Sequence, residues 1–177
     1  MDFAILYGIQ NTIACPPLNV IMAFITTCGD HGLIWIVIGI ILLVPRKTRR
    51  WGVTLLVTLG ITWIICEFGV KEIVARPRPF MLDPGYELII APPSGFSFPS
   101  GHTLASFLAA TVLTRAPIAR GWKAAAWVMA VLIAFSRLYL FVHVPTDVLA
   151  GAIIGVLAGL LGVYINNRVA KSDGTIK

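Results

Sequence analysis

Five apolar stretches, at roughly 21–44, 51–70, 101–116, 123–142 and 148–166, decide what this chain can become. A hydrocarbon core of ~30 Å needs about 20 apolar residues per crossing. With no water in the core, each crossing must satisfy its own backbone, so each is read as a helix. Only 12% of the 177 residues are charged, and the five stretches leave no room for a soluble second domain. The prediction is an all-α integral membrane protein. Residues 3–15 (FAILYGIQNTIAC) are also apolar, but about 13 residues are too few to cross. They lack the cationic start and small-residue cleavage site of a signal peptide. Pro16 and Pro17 then interrupt the chain. The expected organisation is a short interfacial helix over 1–17, one transmembrane domain over 18–166, and a cytoplasmic tail over 167–177 that frays. Five spans are expected, with six, the first two short, as the alternative.

Charge supplies the orientation. Ten of the 14 cations fall in three groups: Arg46, Lys47, Arg49 and Arg50; Arg115, Arg120 and Lys123; Arg168, Lys171 and Lys177. These groups sit at alternate ends of the spans, which the positive-inside rule makes cytoplasmic. The reading is a multi-pass protein of the plasma (inner) membrane with its C-terminus inside. Segments 71–100 and 143–147 then open on the periplasmic or extracellular side. The net charge of +6 reflects topology, not nucleic-acid binding. Cys15, Cys28 and Cys66 are odd in number, show no CxxC spacing, and read as free buried thiols.

Against that rule, Lys71, Arg76, Arg78 and Arg137 lie at or near outer ends of spans. Glu72, Asp83, Glu87 and Asp147 are close in sequence but offer no obvious pairing for all four. Charge near hydrocarbon is costly and signals function, and guanidinium groups suit phosphate. In KEIVARPRP (71–79) the two X-Pro steps force extended backbone, so Arg76 and Arg78 leave the helix. In FPSGHT (98–103), Ser100 is a suitable N-cap and Gly101 permits close approach to the backbone. A helix starting there offers unpaired N–H groups to an anion, with His102 beside it. In SRLYLFVHVPTD (136–147), Val144-Pro145 marks a helix boundary with Pro145 in the first turn of the next helix. His143 stands at the break. Asp147 can reach back to one ring nitrogen and leave the other free to attack.

These parts meet the needs of phosphoryl transfer: charge stabilisation, an in-line nucleophile and a protonated leaving group. His143 is the candidate nucleophile, forming a phosphohistidine. Asp147 stabilises its imidazolium, and His102 gives a proton to the leaving oxygen and later activates water. Lys71, Arg78, Arg137, Ser100 and Gly101 are candidate phosphate-binding residues, with Arg76 auxiliary. No metal or other cofactor is required, a His/His/Asp zinc site being the weaker alternative, and there is no GxxxxGK[ST] loop. An anion or lipid transporter is the rival of another class, but it predicts polar residues deep in several spans, where Glu67 is the main one.

The three clusters resemble the tripartite signature of the type 2 phosphatidic acid phosphatase superfamily, which includes integral-membrane lipid phosphatases and soluble vanadium haloperoxidases. Lys71 with Arg78-Pro79, Pro99-Ser100-Gly101-His102, and Ser136-Arg137 with His143 and Asp147 match that signature at every position and spacing. The resemblance implies a helical bundle and a metal-independent phosphatase with His143 as nucleophile and His102 as acid. It also implies a substrate in the bilayer, a lipid phosphate or pyrophosphate, with no obligatory protein partner. The small chain is similar to bacterial members acting on undecaprenyl pyrophosphate, in lipid-carrier recycling, or on phosphatidylglycerophosphate. Outside the signature, GDHG (29–32) interrupts the first span and is read as a kink whose His31 could reach a headgroup. The Pro- and Gly-rich loop 81–98 is a candidate lid.

Overall fold

The computed structural model describes residues 2–83 and 85–172; Pro84 of the 81–98 loop, Lys177 and the rest of the tail's end lie outside them. Every regular element among the described residues is helical. Helix α1 (Asp2–Thr12) is the short N-terminal helix expected, and its Leu6 is buried with Phe141 and Val144. Pro16 and Pro17 open α2 (Pro16–Cys28), where a missing N–H costs nothing. A 3₁₀ turn at Asp30–Gly32 bends the chain by 44° into α3 (Leu33–Leu43). Helix α4 (Arg49–Ile65) passes through a π-helical turn, Cys66–Val70, into α5 (Lys71–Val74), which ends at a left-handed Ala75. After the extended steps at Arg76 and Arg78 come α6 (Pro79–Leu82), α7 (Gly101–Arg115), α8 (Arg120–Tyr139) and α9 (Pro145–Ser172). The last helix runs through Ser172, beyond Asn166.

Three stretches are long and apolar enough to cross a membrane: Arg49–Leu82, Arg120–Tyr139 and Pro145–Ser172. The bent pair over residues 16–43 makes a fourth if taken as one span. The stretch expected at 101–116 forms α7, whose 15 residues are about 22 Å long, short for a crossing that must meet lipid by itself. Instead α7 is wrapped. It packs on α3, α4, α8 and α9, and an unbroken run from Thr103 to Leu113, Phe107 excepted, is buried. The Trp35 indole donates to the Ser106 hydroxyl within this core, at 2.9 Å.

The closest seam joins α7 to α9. Gly151, Gly155 and Gly159 recur every four residues, so they share one face of α9 and let the two backbones approach. A Cβ on Gly151 would stand 2.7 Å from the Ser100 carbonyl oxygen, and one on Gly155 would overlap that of Leu104. This periodicity is visible in the sequence but is easily lost among the apolar residues around it. Gly155→Val should therefore lower stability in a denaturant titration in detergent by about 3 kcal/mol. Gly121→Ala, where a Cβ meets nothing, is the control. Equal stability of the two variants would dismiss the seam.

Candidate active site

The reversed directions of successive helices bring the C-terminal ends of α5 and α8 and the N-terminal ends of α7 and α9 to one end of the bundle. The basic groups at 46–50, 115–123 and 168–171 belong to the opposite ends. At the first end lies a cavity of about 950 Å³ whose wall carries Lys71, Arg78, His102, Arg137 and His143. Residues far apart in sequence thus meet as expected. The cavity continues along α4 past Leu56, Leu59, Gly60 and Trp63, so a polar chamber opens into an apolar groove.

His143 is set by the end of α8. Buried Phe141 takes a left-handed backbone (φ 58°), uncommon for an aromatic residue, and its ring stacks on Tyr86 at 4.0 Å. The N–H groups of Val142 and His143 both donate to the Arg137 carbonyl, at 3.2 and 3.3 Å. His143 is 2% exposed and Asp147 fully buried. The ring's Nδ1 lies 3.5 Å from Asp147 Oδ2 and 3.3 Å from the Ser97 hydroxyl. That hydroxyl donates to Asp147 Oδ2 at 2.5 Å, and Val144 N–H donates to the same oxygen at 3.1 Å. With Nδ1 facing these acceptors, the lone pair rests on Nε2, 3.3 Å from Arg78 Nη1. Burial holds the imidazole below its ordinary pKa; Asp147 pulls the other way, and Arg137 and Arg78 add to the lowering. The ring is thereby kept neutral near pH 7.

The cations differ in their attachments. Arg78 donates to the carbonyls of Gly95, Ser94 and Val142 at 3.0, 2.9 and 3.2 Å. These bonds tie the 81–98 loop to the cavity as part of its wall, and Ser97 N–H on the Arg76 carbonyl, 2.8 Å, adds another tie. Lys71 pairs with Glu67 at 2.7 Å, one turn back through the π turn. Arg137, 2% exposed, donates to the Thr26 hydroxyl, and its buried Nε has no hydrogen-bond partner among the described residues. An unsatisfied buried guanidinium N–H is costly unless an acceptor comes to it.

The helix start at α7 holds too. The Ser100 hydroxyl caps it, accepting from Thr103 N at 3.5 Å and Thr103 Oγ1 at 3.0 Å. The hydroxyl is thus used inside the protein, while Gly101 and His102 line the cavity and their N–H groups have no partner among the described residues.

Two side-chain placements could not be read from the sequence. Arg76 does not face the cavity: its Nη1 donates to Asp147 Oδ1 at 2.7 Å and to Thr146 at 2.9 Å, and its guanidinium lies over the Phe98 ring. It holds the back of the carboxylate that holds His143. The carboxylates also match the cations better than their sequence positions suggest, Asp147 taking Arg76 and Glu67 taking Lys71. Sequence reasoning missed Ser97, Thr26 and Asp30, the last of which meets His102 at 2.8 Å. Asp30 alone carried a signal, as the acid of GDHG.

Comparison with known proteins identifies the family. Residues 51–171 match the model of the PAP2 superfamily. Undecaprenyl-diphosphatase of Sulfolobus acidocaldarius is 34% identical over 97% of this chain and 80% of its own length. The crystal structure of Aquifex aeolicus LpxE superposes with a TM-score of 0.79 at 29% identity, over 92% of this chain and 94% of that one. A transmembrane PAP2-type phosphatidylglycerolphosphate phosphatase from Bacillus subtilis gives 0.77 at 32% identity, over 95% and 85%. The family match takes in the whole region from Lys71 to Asp147, and the likeness to the relatives runs over nearly the whole length: the chain belongs to the PAP2 superfamily and is a membrane lipid phosphatase.

Proposed function

We propose that the chain hydrolyses a lipid pyrophosphate or phosphomonoester at the outer face of the plasma membrane through a phosphohistidine on His143. One observation carries this reading: a neutral imidazole backed by Asp147 turns its free Nε2 toward a cavity that also holds Arg78, Arg137 and His102. In the first step Nε2 bonds to phosphorus while the bond to the leaving oxygen breaks. His102 supplies the proton that oxygen needs, and Asp147 offsets the charge gained by His143. In the second step water adds to phosphorus, its proton passes to His102, and the P–N bond breaks. The equatorial oxygens are held by Lys71, Arg78, Arg137 and the N–H groups of Gly101 and His102. Ser100 supports them as the cap. Arg76 acts from behind Asp147.

The outer-face assignment follows from the basic groups at the far ends of the helices. It takes α7, sheathed by its neighbours, as the fifth crossing. Undecaprenyl pyrophosphate is the preferred substrate, supported by the Sulfolobus relative and by the apolar groove along α4. Phosphatidylglycerophosphate is second, supported by the Bacillus structure. Transport is disfavoured because the charged residues collect at the ends of the helices and few lie deep within the spans.

The deciding experiment is phosphate release by purified protein in detergent with excess EDTA. Undecaprenyl pyrophosphate, phosphatidylglycerophosphate, phosphatidic acid and a soluble sugar phosphate would be compared. Release from a lipid, undiminished by EDTA and at least tenfold above the sugar phosphate, is expected. Silence on all four, or activity abolished by EDTA, would overturn the reading.

A further inference from the structure

The GDHG bend is left unexplained by the reading above, yet it is built around His102. His31 and Gly32 both take left-handed backbone (φ 51° and 71°), which breaks the helix. Gly29 lies against the imidazole so closely that a Cβ there would stand 2.9 Å from His102 Cδ2. Asp30 Oδ1 lies 2.8 Å from His102 Nε2, and both residues line the cavity. Three successive features, a missing side chain, a carboxylate and a backbone reversal, therefore serve one ring that belongs to a different helix.

We propose that Asp30 is the positioning residue of His102. It accepts the Nε2–H, fixes the ring, and stabilises the imidazolium whose Nδ1–H is delivered to the leaving oxygen. The inference rests on the acid role of His102 proposed above. In the balanced step, the His143 Nε2–P bond forms as the bond from phosphorus to the leaving oxygen breaks, the His102 imidazolium gives its Nδ1 proton to that oxygen, and the proton on His102 Nε2 stays there, hydrogen-bonded to Asp30. In the second step the neutral Nδ1 takes a proton from the attacking water. The site would then hold two His–Asp pairs of opposite purpose. Asp147 offsets a charge that His143 gains during the reaction, and Asp30 sustains a charge that His102 must carry beforehand.

The need for such a carboxylate is plain from the other charges. Arg137 from α8 and Arg78 from the extended segment both face this chamber, and His143 shares it. Positive neighbours disfavour an imidazolium. His31 lies beyond Asp30 on the bend, and Lys71 across the cavity is already paired with Glu67. Asp30 is the acidic group in contact with His102.

The test compares two substrates: a long-chain alkyl phosphate, whose alkoxide leaves only with a proton, and a chain-bearing nitrophenyl phosphate, whose phenolate leaves without one. Asp30→Asn should lower kcat on the alkyl phosphate about 10²-fold and on the nitrophenyl phosphate by less than about threefold. The alkaline limb of the alkyl-phosphate kcat profile should move about one pH unit lower, because loss of the carboxylate lets the acid give up its proton sooner. Asp30→Glu should recover part of both effects. His102→Gln, measured alongside, should show the same dependence on leaving group. If it does not, the acid role falls and this pairing with it. If it does, while Asp30→Asn lowers both substrates equally with an unmoved pH profile, the pairing alone is overturned. Vanadate binding and the melting temperature report folding, and Asp30→Ser gives the same comparison should the Asn variant fail to fold.

Discussion

His143→Ala should reduce phosphate release at least about 10⁴-fold on any substrate, without loss of the folded protein. The size follows from the proposed role: without Nε2 there would be no atom to bond to phosphorus, and cations proposed to bind the phosphate could not replace it. A second readout separates nucleophile from bystander. Wild-type protein quenched in alkali during turnover of a ³²P-labelled lipid should carry an acid-labile phosphoryl label, and His143→Ala should carry none. Activity within tenfold of wild type, or a label that persists, would remove His143 from the mechanism.

Arg137→Met should lower kcat/KM about 10³-fold and weaken inhibition by vanadate in step. The same variant should be as stable as wild type or more so, because it removes a buried cation whose Nε has no partner within the described protein. Lost activity with retained or raised stability is the signature of a group kept for its ligand. Arg137→Lys should rescue little, since an ammonium on a flexible stem lacks the planar fork. If activity falls only as the protein unfolds, measured by turnover and melting on the same preparations, Arg137 is structural.

The legible part of this protein was that in which chemistry and local backbone coincide. Lys71, Arg78, Ser100, His102, Arg137, His143 and Asp147 could be grouped because Pro79, Pro99 and Pro145 punctuate the chain and alternate crossings bring their neighbourhoods to one face. The partners of these residues were hidden. Asp30 is 72 residues from His102, and Thr26 is 111 from Arg137. Nothing in local sequence couples positions so distant. Ser97 is one hydroxyl in a loop that also holds Ser94, and only its tertiary placement between His143 and Asp147 sets it apart. The placement of Arg76, the auxiliary candidate, is hidden for a related reason. Two extended X-Pro steps show that both arginines leave the helix, but not that they diverge, Arg78 into the cavity and Arg76 behind Asp147. The span at 101–116 was assigned from hydropathy, which does not distinguish a helix facing lipid from one enclosed by other helices.

The attachments of the cations have a consequence for turnover. Lys71 is held by Glu67, and Arg78 by three carbonyl oxygens. If these cations hold the phosphate as proposed, an arriving phosphate competes with acceptors that the protein itself supplies, and its affinity is the difference between two sets of bonds rather than the sum of one. The same exchange runs backwards when inorganic phosphate departs, since the protein's own oxygens are ready to reclaim the donors. A chamber with this much positive charge would otherwise become a trap for its product. On the proposed mechanism the charge steadies a transition state, while the protein's own acceptors contest it enough to let the anion go.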